Sequence, residues 1–394
     1  MGDVGATPTG GVRRLALSIE DKLGRDLFVR WCNDGGYGVR IDALGNIFAR
    51  RHGADDALPP VLTGSHLDTQ PVAGKFDGPY GVLAGLEVLR TLDRHRVATR
   101  HPVDVVVWTN EEGARFQPPS LAASVVAGSL SLDAALAITD SEGVRFGDAL
   151  RSIGYAGDGD PVRPEVHCYI EAHIEQGPIL EGAGIDIGVV NGIVGVHAYE
   201  VELTGQAAHT GTTPLGYRRD ALLGAARIIA GVHELASRYE PGGRASVAFA
   251  RVSPNARSVI AEKVLLTADC RNTDDAELER MHAELLALFT HAAGQGRLAL
   301  RTHEYWSVLP THFPDLCTAP IRAAAQRLGY TCQDISSGAG HDAMHLARIA
   351  PSAMIFIPCK DGVSHHEAES ITPEQAEAGG NVLLHTLLEL AGTA

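Results

Sequence analysis

Residues 61–78 read VLTGSHLDTQPVAGKFDG, and the reading of this stretch decides both the fold and the chemistry. Val61 and Leu62 open an apolar run that leads into Gly64, His66 and Asp68, and Asp77 follows eleven residues after His66, between Phe76 and Gly78. An imidazole at the end of such a run binds a cation through one ring nitrogen, and a carboxylate two residues on, here Asp68, is placed to orient the ring. Asp77 is a second hard donor, returned to the same place by a loop rich in glycine and proline.

Other stretches end the same way. Pro102–Trp108 is β-branched and apolar, which predicts a buried strand, and it ends in Thr109-Asn110-Glu111-Glu112-Gly113. Two adjacent carboxylates at the mouth of a buried strand need a partner, since burying even one unpaired charge is costly. Val166–Gln176 (VHCYIEAHIEQ) alternates with a period of two, placing His173 and Glu175 near the end of a third strand. Ser352–Pro358 predicts a fourth, followed by Gly362-Val-Ser-His365-His366-Glu-Ala-Glu369. Residues 13–36 predict a helix with Leu15, Leu17, Ile19, Leu23, Leu27, Val29 and Trp31 roughly on one side. A strand pair at 39–41 and 46–50 and a helix over Gly81–Leu92 follow. Helices between strands predict an α/β fold with a mixed, largely parallel sheet. The ligand crevice of such sheets lies beyond the carboxyl ends of the strands. His66, Glu111, Glu112, His173 and His365 all fall at such ends, which predicts a metal site.

Residues 192–305 have another rhythm. Strands at 194–203, 245–252, 263–271 and 297–305 and helices at 219–237 and 274–293 follow the order β-α-β-β-α-β, the ferredoxin-like pattern. This predicts a discontinuous catalytic domain, 1–191 with 306–394, and an inserted α+β lid and dimerisation domain, 192–305. Thr372, Pro373 and Gln375 spell a capping box with proline at the first helical position, ahead of a helix over Ala376–Leu390.

The whole-chain properties narrow the partners. A net charge of −15 argues against nucleic acid and anionic membrane surfaces. No stretch of about 18 uncharged apolar residues is present, so no membrane span is expected. The first residues lack the apolar core of a secretory signal, so the cytoplasm is the expected compartment. The six cysteines are scattered without a C-x-x-C pair and are expected as reduced, mostly buried thiols.

With these residues in view, the chain resembles the dinuclear-metal aminoacylase/carboxypeptidase superfamily, and within it the amidase/hydantoinase/carbamoylase branch. The resemblance runs from about residue 13 to the end. It is carried by GSHLDTQPVAGKFDGPYGVLAGLEVL, TNEEGARF, HIEQGPIL, GQAAHTGTTPLGYRRDAL, SPNARSVI with LTADCR, SGAGHDA and SHHEAE. It implies one metal on His66, Asp77 and His173 and a second on Asp77, Glu112 and His365, with Asp77 bridging and Glu111 as general base. It also implies substrate contacts from Gln176, Arg271 and the Gly340 segment. His209, which in such enzymes reaches the active site of the partner subunit, would stabilise the tetrahedral intermediate, and the chain would be a homodimer.

Two departures stand out. Ser258, with Arg257 beside it, replaces an asparagine usual in the branch, which implies altered selectivity among substrates that bear a carboxylate. His365-His366-Glu367 replaces a usual His-Asn-Pro; His365 is the better ligand by register, with His366 as the alternative. The implied reaction is hydrolysis of the ureido C–N bond of N-carbamoyl-L-amino acids to amino acid, carbon dioxide and ammonia. The alternatives are allantoate or ureidoglycolate amidohydrolase, β-ureidopropionase, then dipeptidase or aminoacylase, and outside the enzymes a metal-poor binding relative. Two divalent ions are implied; His and carboxylate donors without thiolate suit zinc, with manganese, cobalt or nickel also open.

Overall fold

Residues 1–161 and 165–393 are described by a computed structural model; residues 162–164 and 394, part of the expected catalytic domain, lie outside the described residues. The chain divides into two units, Met1–Asn191 with His312–Ala394, and Gly192–Thr311.

The first unit is built on a nine-stranded sheet. Its centre is four strands in the order Val103–Trp108, Val61–His66, Cys168–Ile174, Ser352–Ile357, all parallel. Antiparallel strands flank them: Ile47–Arg51 and then Gly38–Ile41 on one side, Ile187–Ile193 on the other. Every residue of the four central strands is buried, which explains their nearly continuous apolar runs. Helices Pro79–Arg94 and Pro373–Ala391 lie against them. The latter opens with the capping box of Thr372 and Gln375. Gly64 allows the two leading strands to close up: its φ is +142°, and a Cβ there would stand 2.0 Å from the Val106 carbonyl oxygen.

One sequence expectation holds here and one changes. The strand read from the alternation of 166–176 is Cys168–Ile174, and Tyr169, Glu171 and His173 in it are as buried as their apolar neighbours. Their polar atoms are answered internally: Glu171 accepts from Ser65 Oγ at 2.7 Å and from Tyr169 Oη at 3.0 Å. The helix expected over 13–36 spans Ile19–Asp34, started by Ser18, whose hydroxyl accepts from the Asp21 amide. Its buried face is not the apolar stripe. Ile19 and Leu23 are exposed, whereas Asp21, Arg25, Phe28 and Cys32 are buried. Arg25 decides the orientation, because it ties Asp21 (2.8 Å), the Gly45 carbonyl (2.7 Å) and Thr109 Oγ1 (3.3 Å) together inside the unit. Three directed hydrogen bonds on a buried cation outweigh the exposure of two aliphatic side chains.

The second unit holds a four-stranded antiparallel sheet in the order Ala299–Val308, Gly195–Thr204, Lys263–Asn272, Arg244–Ser253. Helices Ala221–Tyr239 and Asp275–Gly296 complete a β-α-β-β-α-β chain order. Val201, Leu203, Ile228, Leu266, Met281 and Phe289 belong to its core. The last strand runs past 305 to Val308, since its pairing continues as far as Val196. Among the described residues no helix is long and apolar enough to cross a membrane, and the six cysteines are free thiols, five of them buried.

Candidate metal centre

The four central strands are parallel, so their carboxyl ends share one edge of the sheet. His66 ends its strand, Glu111 and Glu112 follow Trp108, His173 stands one residue from the end of its strand, and His365 lies in the loop after Ile357. Asp77 is carried to the same edge by the loop between His66 and helix Pro79–Arg94. Gly78 makes that return possible. Its φ is +78°, and a Cβ would fall 2.4–2.5 Å from three atoms of the His66 ring.

Asp77 is the centre of the cluster. Its Oδ1 is 3.5 Å from His66 Nε2 and 3.2 Å from His173 Nε2. Its Oδ2 is 3.3 Å from His365 Nε2, which is also 3.3 Å from Glu112 Oε2. Glu111 Oε2 is 3.4 Å from His66 Nε2. The side chains form two donor groups that can hold a metal ion, His66/Asp77/His173 and Asp77/Glu112/His365, which share the aspartate. The spacing fits: two ligands each about 2.0–2.2 Å from a tetrahedral zinc are about 3.4 Å apart.

The ring protons fit as well. His66 Nδ1 is 2.9 Å from the Asp68 carbonyl, and His173 Nδ1 is 2.9 Å from the Ile174 carbonyl. A carbonyl only accepts, so both Nδ1 atoms carry the proton and both Nε2 lone pairs face Asp77. The Gly78 amide donates to His173 Nε2 at 3.2 Å, as that tautomer requires. The expectation that the Asp68 carboxylate orients His66 is therefore corrected. The backbone carbonyl does so, and the carboxylate accepts instead from the Glu111 and Glu112 amides, at 3.3 Å each. Of the two adjacent histidines, His365 is the one that faces Asp77 and Glu112. His366 is turned to its own loop, where Nδ1 accepts from the Ala368 amide at 3.1 Å.

Charge is crowded in the cluster. Burial works against the Asp77 carboxylate, yet His173, His365 and His66, in the form in which their Nε2 atoms are protonated and donate to it, hold it well below the ordinary range. Burial pushes Glu111 well up, and Asp342, Glu112 and Asp77 add repulsion that His66 only partly offsets. Glu112 is pushed up to about 7 by burial and by Asp77. His365 rises to about 9, chiefly through its hydrogen bond with Asp77. Three carboxylates so close are stable together only against positive charge, which bound cations supply.

Several supporting residues were not singled out from the sequence. Gln70 Nε2 donates to Glu112 Oε2 at 2.7 Å, and its amide reaches Oε1 at 3.2 Å. Ser364 Oγ lies 2.7 Å from Asp77 Oδ2. Glu369 Oε1 accepts from the Phe76 and Asp77 amides at 2.9 and 3.1 Å, fixing the loop that carries the bridge. Asp342 is fully buried, with neither carboxyl oxygen hydrogen-bonded among the described residues. The only signal for Gln70, Ser364 and Glu369 is adjacency to the ligand motifs.

Of the expected substrate contacts, Gln176 joins the cluster, with Nε2 2.7 Å from Asp77 Oδ2. It lines a hollow of about 540 Å³ with Ala339, Ser364, His365 and His366. Gly340 lies next to Ala339 in the loop before helix Asp342–Leu346. A second hollow of about 600 Å³, between helices Pro79–Arg94 and Pro373–Ala391, contains none of the candidate ligands.

The remaining expected site residues belong to the second unit. His209 pairs with Val259, and the Thr210 amide donates to the Ser258 carbonyl at 3.2 Å, so His209 and Ser258 are neighbours. His209 Nδ1 accepts from the Gly211 and Thr212 amides at 3.0 and 3.1 Å, which leaves the proton on Nε2. Arg257 is exposed. Arg271 pairs with Asp269 at 3.0 Å and stands over the Trp306 ring at 5.6 Å.

Fold and cluster together define a class: α/β proteins that hold a carboxylate-centred donor cluster at the carboxyl edge of a largely parallel sheet. Within that class the comparisons are specific. Residues 62–389 match peptidase family M20/M25/M40, and the chain belongs to that family. It is 43% identical over 391 residues to an N-carbamoyl-L-amino-acid amidohydrolase of Rhizobium meliloti, covering 99% of this chain and 94% of that one. It is 37% identical to an N-carbamoyl-L-amino acid amidohydrolase of Geobacillus stearothermophilus, covering 99% and 96%. The structure is similar to that of an amidase of the hydantoinase/carbamoylase family from Burkholderia multivorans, with a TM-score of 0.96, 48% identity and coverage of 99% and 95%.

Proposed function

We propose that this chain hydrolyses the ureido C–N bond of N-carbamoyl-L-amino acids with the help of two divalent cations. His66, Asp77 and His173 hold one, and Asp77, Glu112 and His365 hold the other. Zinc is the first candidate, with manganese, cobalt and nickel compatible with the same donors. When bound, such a pair lowers the pKa of water and polarises a carbonyl oxygen. The observation that carries the reading is the division of Asp77, one oxygen facing two histidines and the other facing His365 beside Glu112.

Glu111 does the proton work. It sits 3.4 Å from His66 Nε2 but belongs to neither donor group, so its carboxylate is left to take a proton from water and return it to the leaving amine. Gln176 positions Asp77 and faces the adjoining hollow. Arg271 offers a planar fork to a substrate carboxylate, and the Nε2–H of His209 is a donor for a developing oxyanion. Those two roles, with those of Ser258, Arg257 and Gly340, rest on the resemblance. We place the enzyme in the cytoplasm as a homodimer whose insert serves as lid and dimerisation domain.

The test is ammonia release across N-carbamoyl-L-amino acids, allantoate, ureidoglycolate and β-ureidopropionate, with dipeptides as controls. The reading expects the highest kcat/KM on N-carbamoyl-L-amino acids. A preference for allantoate or ureidoglycolate would reassign the substrate, and peptide cleavage without ammonia would reject the ureido reading.

A further inference from the structure

The insert contains a second cluster of histidines and carboxylates that takes no part in the chemistry above. His197 and Tyr199 share one face of strand Gly195–Thr204, and Glu279 and His282, three apart, share one face of helix Asp275–Gly296. The His197 and His282 rings stack at 3.8 Å, only 10° from parallel. Glu279 approaches both, with Oε1 3.9 Å from His197 Nε2 and Oε2 4.0 Å from His282 Nδ1. Donor atoms of the three residues lie within 4.8 Å of one another.

The hydrogen bonds around the cluster place the lone pair of His197 and bear on that of His282. His197 Nδ1 is 2.6 Å from Glu304 Oε1. A carboxylate only accepts, so Nδ1 carries the proton and Nε2 the lone pair. Tyr199 Oη is 2.7 Å from His282 Nε2, and where the hydroxyl accepts from that nitrogen the lone pair of His282 is on Nδ1. In that arrangement both lone pairs belong to the two nitrogens that flank Glu279.

The second, independent observation is His197 Nε2 itself. The side chain is 8% exposed, and Nε2 has no hydrogen-bond partner among the described residues. A buried lone pair with nothing to accept from is costly, and a ligand removes that cost. The strand beside it is shaped to serve this arrangement. A β-bulge between Glu304 and Trp306 sets Glu304 opposite Tyr199 and Ser307 opposite His197, so both face the cluster. A carboxylate on the far nitrogen of an imidazole is the usual support of a metal-binding histidine.

We propose that His197, Glu279 and His282 form a cation site of the insert, suited to zinc or another divalent transition ion and independent of the Asp77 pair. Two imidazoles and one carboxylate leave a fourth position for water or an incoming group. The 3.9 and 4.0 Å gaps close by about half an ångström to meet the ligand spacing of a tetrahedral ion, with Glu279 swinging in from solvent and the rings splaying apart.

The experiment uses the full chain, freed of metal and titrated with zinc by calorimetry, with imidazole carbon–proton NMR shifts followed for His197 and His282. An Asp77→Ala chain is run beside it to disable the central pair. The expectation is one zinc per chain retained in Asp77→Ala, with both imidazoles shifting as it binds. Glu279→Gln, a change at an exposed side chain, weakens that zinc at least tenfold, and His282→Phe, which keeps a stacked ring, abolishes it. Glu304→Gln weakens it about 10–100-fold. Unchanged zinc affinity in Glu279→Gln and His282→Phe, or unshifted imidazoles in a chain that is otherwise folded, overturns the proposal. Because the assay reads zinc at the insert and not turnover, it stands whether or not the ureido reading holds.

Discussion

A methyl group at Gly78 is the smallest change that reaches the candidate centre. An alanine Cβ would lie 2.4, 2.5 and 2.5 Å from Cε1, Nδ1 and Nε2 of His66, where ordinary contact begins near 3.4 Å. The ring or the loop must then give by about 1 Å, the difference between those distances. The φ of +78° adds roughly 1–2 kcal/mol for any residue with a Cβ. The two terms act on different observables. Backbone strain lowers stability and leaves the rate alone, whereas a 1 Å shift of a positioned group costs about 10²-fold in rate. Gly78→Ala should therefore lose about 1–3 kcal/mol in urea unfolding and about 100-fold in kcat/KM for ammonia release, together with cation affinity. Gly380→Ala in helix Pro373–Ala391, where a Cβ meets nothing within 4 Å, is the control and should stabilise by about 0.5–1 kcal/mol. A Gly78→Ala chain with wild-type turnover and cation affinity would refute the claim that this loop seats the His66 ring.

Other expectations are briefer. Arg25→Met strands the fully buried Asp21 and should destabilise by about 3–5 kcal/mol in denaturant unfolding, while adding Asp21→Leu should restore most of the loss. Glu111→Gln should cut kcat by about 10²–10⁴-fold while cation content by elemental analysis stays unchanged, because Glu111 lies outside both donor groups. Burial and Arg348 depress His345 from 6.5 to about 4, so the unfolded chain binds the extra proton first as pH falls. Its contribution is complete above pH 6.5 and is lost progressively towards pH 4. His345→Phe should flatten that acid limb by about 2–3 kcal/mol in unfolding measured from pH 7 to 4.

The strands and the cluster were legible because parallel strands buried on both faces write themselves as short apolar runs, and each run here ends in a polar residue of metal-binding type. His66, Glu112, His173 and His365 could be read off in that way. Helix Ile19–Asp34 could not be oriented, since its buried face is set by Arg25 and Asp21, a pair that periodicity counts as polar surface. Asp68 was misread because a carboxylate and the carbonyl of the same residue are equivalent in sequence, and only coordinates show which oxygen meets His66 Nδ1. Gln70, Ser364 and Glu369 act through hydrogen bonds across long sequence separations, such as Glu369 to the Asp77 amide, and leave no periodic trace. The His197 cluster joins a strand and a helix through side chains that each look unremarkable in their own element.

The claim at the centre is that Asp77 joins two cation positions. Anomalous diffraction from crystals of the full chain grown with zinc tests it most directly. The account predicts two peaks flanking the Asp77 carboxylate, one about 2.0–2.2 Å from Nε2 of His66 and His173, the other as close to Nε2 of His365 and the Glu112 carboxylate. Zinc-loaded crystals with no peak beside Asp77, or with a single ion bound by His366 in place of His365, would contradict it.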